Sequence, residues 1–207
     1  SLEGLKALEG ARPLTIALAD RDERVREHAV KWDEPRVTGS DPAAKSLQGL
    51  LLSLVDDPSV RVRCQVALTL GAWSGPERNK ALARIVIRDW DQPWVQAAVL
   101  SGLWTGAGEV LASLAQDPRF IQRPRSGEFL EAIATVMGAQ GLPGEVEVFL
   151  DRVASPEWSA PAPRMVRAFL EAAARSGKSV VSRESEERLQ KLFRSAIVRS
   201  AEEGLAE

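Results

Sequence analysis

Cys64 and His28 are the only residues of their kinds in the 207-residue chain, so a thiol activated by an imidazole is the first chemistry to consider. A second candidate is Gly177–Ser179, a GKS string like the end of a phosphate-binding loop. Ala172 stands where that loop needs its first glycine, and the string follows a helical pattern rather than a strand, so nucleotide binding is not expected. Arg26, Arg61 and Arg63 offer a basic stripe for an anion, and Asp22, Asp57 and Asp91 in the nearby turns offer those arginines internal partners instead. Arg119, Arg123 and Arg125 surround Phe120, an interleaving of cations with a ring that suits single-stranded nucleic acid. Trp73, Trp90, Trp94 and Trp104 fall within a short stretch and suit either helix packing or a partner-binding face. Glu184, Glu186 and Glu187 read as favourable charges in the first turn of a last helix rather than as a metal cluster.

These residues must be positioned by helices. Val25, Val60 and Val95 each open an apolar stripe just after a turn, at intervals of 35 and 35 residues. The turns are alike: DRDERVR from Asp20, DDPSVRVR from Asp56 and DQPWVQ from Asp91. Four and seven residues beyond each valine stand Ala29 and Trp32, then Cys64 and Ala67, then Val99 and Gly102, which is helical spacing. In this register Cys64 is a small buried hydrophobe, His28 lies on a flank, and Trp32 marks a local irregularity where the other layers have small residues. A second helix precedes each turn, over 13–19, 43–55 and 77–88, so the unit is a helix pair.

Further helices are expected over 109–116, 126–139, 144–153 and 162–176, with the prolines at 156, 161 and 163 in the loop SPEWSAPAP forbidding a continuous helix between the last two. A final helix over about 184–200 carries Leu189, Leu192, Phe193, Ala196 and Ile197 on one stripe and would cap the stack. Leu2, Leu5 and Leu8 begin a stripe with no N-cap, which suggests a segment excised from a longer protein, with Ser1 an expression scar.

Composition narrows the function. With 27 basic and 29 acidic residues the net charge is −2, which argues against a broad phosphate-neutralising surface and so against nucleic acid as a partner. One cysteine and one histidine cannot supply the usual structural zinc site, a haem attachment or an internal disulfide, and no cofactor is expected. No apolar run approaches the roughly 18 residues of a membrane span, so this segment is not expected to insert into a bilayer.

The D-x-x-V-R turns, Asp22–Arg26 and Asp57–Arg61, resemble those of the HEAT repeat family. The resemblance implies an all-α fold, a right-handed α-solenoid of about five helix pairs closed by a capping helix, forming one domain over 1–207. More narrowly, LEGLKALEG, DERVREHAV, DDPSVRVRCQVALTLG, QPWVQAAVLSGL and GEFLEAIATVMGAQG resemble the HEAT section of planctomycete-type membrane-bound dehydrogenase and CxxCH haem-binding fusion proteins. That implies a bacterial, multidomain parent and a periplasmic or exported compartment, with the cytoplasm left open by the residues themselves. It carries over no catalytic residue. The function expected is a non-enzymatic interaction scaffold for a protein or for neighbouring domains of the same chain. Trp73, Trp90, Trp94, Trp104, Arg119, Arg123 and Arg125 are the candidate partner-binding residues. The alternative is a HEAT-like enzyme, a DNA glycosylase or a bilin lyase, the first requiring a basic groove and the second a tetrapyrrole pocket.

Overall fold

The computed structural model describes residues 11–177 together with Glu187 and Arg188. Among the described residues the chain is all-α, with eleven α-helices and no strand. The expected stripe of Leu2, Leu5 and Leu8, residues Lys178 and Ser179 of the GKS string, Glu184, Glu186 and the apolar stripe of the final helix lie outside the described residues.

Two compact units divide the chain, Ser1–Gly102 and Leu103–Glu207. The first contains α1 (Ala11–Leu18), α2 (Glu23–Asp33), α3 (Pro42–Ser53), α4 (Val60–Leu70), α5 (Pro76–Arg88) and α6 (Pro93–Gly102). Single 3-10 turns follow α2 at Glu34–Arg36 and α3 at Leu54–Asp56. Local chemistry sets the starts. The Asp22 carboxylate accepts from Arg24 N–H and that of Asp41 from Ala43 and Ala44 N–H, while Pro42 and Pro76 stand in the first turns of α3 and α5.

Helices α2, α4 and α6 pack side by side in chain order, with α1 against α2 and α3, α3 against α4, and α5 against both α4 and α6. Where these three helices pack, Val62, Val66 and Leu70 of α4, Val95 and Val99 of α6, and Leu82, Ile85 and Val86 of α5 are all fully buried. Burying each such side chain is worth about 1.5–3 kcal/mol. The two backbones come closest at Gly71 and Gly102, where a methyl group on either would lie 2.9 Å from the other's Cα. The small residue expected at 102 therefore does bring neighbouring helices together.

The three equally spaced valines do not occupy equivalent places. Val95 is fully buried, Val60 half-buried and Val25 40% exposed. The hydrogen bonds reveal another register. Arg26 donates to the carbonyls of Asp20 and Arg21, Arg63 to those of Asp57 and Pro58, and Gln96 to that of Trp90, so each reaches back five or six residues. Each is also the fourth residue of its helix. The intervals are thus 37 and 33 residues, and the valine series is Val25, Val62 and Val95. The V-R-V-R run from Val60 to Arg63 offers two registers two residues apart, and the buried hydrogen bonds of Arg63 select the second. Val25 belongs to the first helix of this series among the described residues and has no earlier member beside it, unlike Val62 and Val95. Trp32 now matches Thr69 and Gly102 and keeps 40% of its surface exposed.

The second unit contains α7 (Ala107–Leu114), α8 (Pro118–Ile121), α9 (Ser126–Gln140), α10 (Pro143–Val153) and α11 (Ala162–Ser176), with a 3-10 turn at Pro156–Trp158. Here α11 packs along α9 and α10 along α7. Gly138 permits the first contact, because a methyl group there would run into the Phe169 carbonyl. Phe149 and Phe169 stack at 4.5 Å between centroids, and Phe120 meets Phe129 edge-on at 6.4 Å. The Glu145 carboxylate accepts from Gly106 N–H at 2.6 Å and Gly108 N–H at 3.3 Å, tying the start of α10 to the start of α7. Gly141 and Gly177 end α9 and α11 in the left-handed conformation, with φ of 61° and 63°. Arg188 donates to Glu147 at 2.6 Å and Asp151 at 2.7 Å, one turn apart on α10.

Candidate functional site on the layered helices of the first unit

The arginines of the sequence stripe are spent mainly inside the fold. Arg26 grips Asp57 with both arms of its guanidinium, at 2.7 and 2.8 Å, and both side chains are buried. Arg63 repeats the arrangement one layer on, gripping Asp89 at 2.7 and 2.5 Å. The bidentate fork matches the carboxylate plane, and two carbonyls behind each arginine accept from its Nη1, so burial is largely matched by hydrogen bonding. The acceptor is Asp89, not the expected Asp91, which is exposed; Asp22 serves as a helix cap instead. Arg61 is not stacked over Arg26 but points outward to Glu27 at 3.1 Å. Gln96 takes the third place in the ladder with a neutral amide.

Burial works against ionisation of Asp57, but hydrogen bonds from Arg26 and from Ser59 N–H, with the charges of Arg26 and Arg63, overcome it and hold the carboxyl below its ordinary value. Arg78 is a further ionic group that the sequence did not single out. It is wholly buried and donates to Leu70 O, to Gly102 O and to Asn79 Oδ1, fastening the carboxyl ends of α4 and α6.

Cys64 is half-buried, not buried as expected, because in the hydrogen-bonded register its counterparts are Glu27 and Ala97. Burial first, and then the charges of Glu27 and Asp89, push its thiol pKa up. A nucleophilic thiolate requires the opposite environment. His28 is exposed, in line with its expected place on a flank.

The outward side of the layered helices changes character along the series. Arg24, Arg61 and Trp94 share one position and are all exposed; seven residues, or two turns, further, Lys31, Leu68 and Ser101 share another. At these two positions α2 carries Arg24 and Lys31, α4 Arg61 and Leu68, and α6 Trp94 and Ser101, so an apolar group replaces a charge at one place on α4 and one on α6, where Leu68 is 43% and Trp94 45% exposed. Trp94 donates its indole N–H to Gln92. Trp73 and Trp90, in the same unit, are half-buried, whereas Trp104, 53% exposed, belongs to the second unit.

In the second unit, Arg119 is exposed, Arg123 lies 3.9 Å from Asp117, and Arg125 lies 3.9 Å from Glu128. Phe120 is wholly buried against Phe129 and offers no ring for stacking a base. Trp158, inside the proline-rich SPEWSAPAP stretch, is a core residue with 1% exposure. Among the described residues, no group of three or more histidine, cysteine, aspartate or glutamate side chains is placed to hold a metal ion. No described helix is long and apolar enough to cross a membrane.

No family model matches the chain, and comparisons with curated proteins and with solved structures return no match.

Proposed function

We propose that the chain is a non-enzymatic interaction scaffold whose units are stretches of HEAT-like α-solenoid, presenting a protein partner or a neighbouring domain of the same chain with a rigid helical face. The observation that carries this reading is the pair of buried rungs, Arg26–Asp57 and Arg63–Asp89, which clamp three successive helices at one repeated position. A face held this way loses little conformational entropy on docking, and Leu68 and Trp94 give it apolar anchors. Trp104, Arg119, Arg123 and Arg125 are separate candidate contact residues of the second unit. The resemblance to planctomycete-type redox fusion proteins adds a spacer or docking role within an exported parent.

The test is affinity capture with the wild-type protein and a Leu68→Ser, Trp94→Ser variant of matched urea midpoint, followed by titration of the purified partner. A partner that binds the variant at least about tenfold more weakly, about 1.4 kcal/mol, supports the reading. Equal affinity for both proteins overturns it, as does a duplex-DNA shift at low ionic strength in place of protein binding.

A further inference from the structure

A depression on α2 and the turn after it is lined by His28, Lys31, Trp32 and Pro35. Spacings of three and four residues place Lys31 and Trp32 on the same side of the helix as His28. The lining has two halves. Trp32 brings a planar indole and Pro35 a compact aliphatic ring, and His28 and Lys31 bring polar donors to the same lining. The side chains of His28, Lys31 and Trp32 make no hydrogen bond or ion pair with another described residue. By contrast, Glu27, the acid next to His28, is engaged by Arg61 of the neighbouring helix, and Trp94 has used its indole N–H on Gln92.

We infer that this depression binds a small aromatic carboxylate, its ring lying on Trp32 and Pro35 and its carboxylate accepting from Lys31 and His28. The charge count of the lining favours a carboxylate: one ammonium group, on Lys31, with an imidazole N–H on His28 matches a singly charged acceptor. The ring follows from the apolar half of the lining, since an indole face rewards a flat aromatic body and the Pro35 methylenes add C–H contacts to it. The scaffold reading uses Leu68 and Trp94 and needs none of these four residues, so each idea stands or falls alone.

His28 is the only histidine, so its imidazole proton resonances report on the depression without further assignment. At constant pH, 3-phenylpropionate should shift them saturably with a Kd on the order of 1 mM, a reasonable value for so small a ligand. 3-Phenylpropionamide and acetate should each bind about tenfold more weakly, since each lacks one half of the recognition. Lys31→Ala and Trp32→Ala, both at exposed positions, should each weaken the titration by a similar factor, whereas Trp94→Ala should leave it unchanged; urea midpoints verify that all three fold. An unsaturable response, or equal binding of the amide, overturns the proposal. Tighter binding of phenyl phosphate than of phenylpropionate would also overturn it, in favour of a phosphate site.

Discussion

Arg63 concentrates the energetics of the first unit in one side chain, because its guanidinium is buried against the Asp89 carboxylate and two carbonyls. Arg63→Met strands that carboxylate in the interior and should cost about 3–5 kcal/mol in urea unfolding. Adding Asp89→Leu removes the stranded charge and should recover a large part of the loss; a double variant as unstable as the sum of its singles would contradict the pairing. Cys64 yields a milder expectation. Its half-buried thiol, with its pKa raised by burial and by Glu27 and Asp89, should react with a maleimide at pH 7 about tenfold more slowly than in the urea-unfolded chain. A native rate equal to the unfolded one would show that the thiol is open to solvent.

Helices meet where side chains are missing. Gly102→Ala places a methyl group against the Gly71 backbone, which cannot give way as a flexible side chain would, and should destabilise by about 1–3 kcal/mol. Hydrogen-exchange protection should fall first in α4 and α6, whose contact this is, and less in α9 and α11 of the other unit. Uniform loss across both units would argue against a local effect. At this scale the sequence was most readable: apolar stripes of helical period located the long helices to within a few residues, because each has one face to bury. The ladder's register was not readable, since V-R-V-R satisfies two alignments equally and only the reach from Arg63 to Asp89 distinguishes them. Arg78 was hidden for a related reason, its partners being main-chain carbonyls that no residue type announces. Trp158 was hidden by its prolines, which correctly marked a break in the helix but gave no sign that the turn folds its ring inward. Of the candidate surface, the aromatic types were visible, but their exposure was not, because Trp73 and Trp94 differ in environment and not in chemistry.

For the molecule as a whole, the buried carboxylate of Asp57 ties stability to acidity. Asp57 ionises more readily folded than unfolded, so its contribution is complete at neutral pH, where both states are charged. As pH falls from about 5 through the ordinary aspartate value of 3.8, the unfolded chain takes up its proton first, and the contribution has gone once pH lies below the folded value. The urea midpoint should therefore drop across this window, and Asp57→Asn, less stable at pH 7, should drop less steeply. Parallel slopes would mean that other carboxylates dominate. The neutral third rung has another consequence, for how such a chain can lengthen. Duplicating the stretch that carries Asp57 and Arg63 gives every new aspartate a guanidinium to meet. Duplicating the stretch that carries Asp89 and Gln96 would set a buried acid against an amide. Growth by tandem copying is thus open in the middle of this array and closed at its glutamine, so the order of the layers is written into the polarity of one column of side chains.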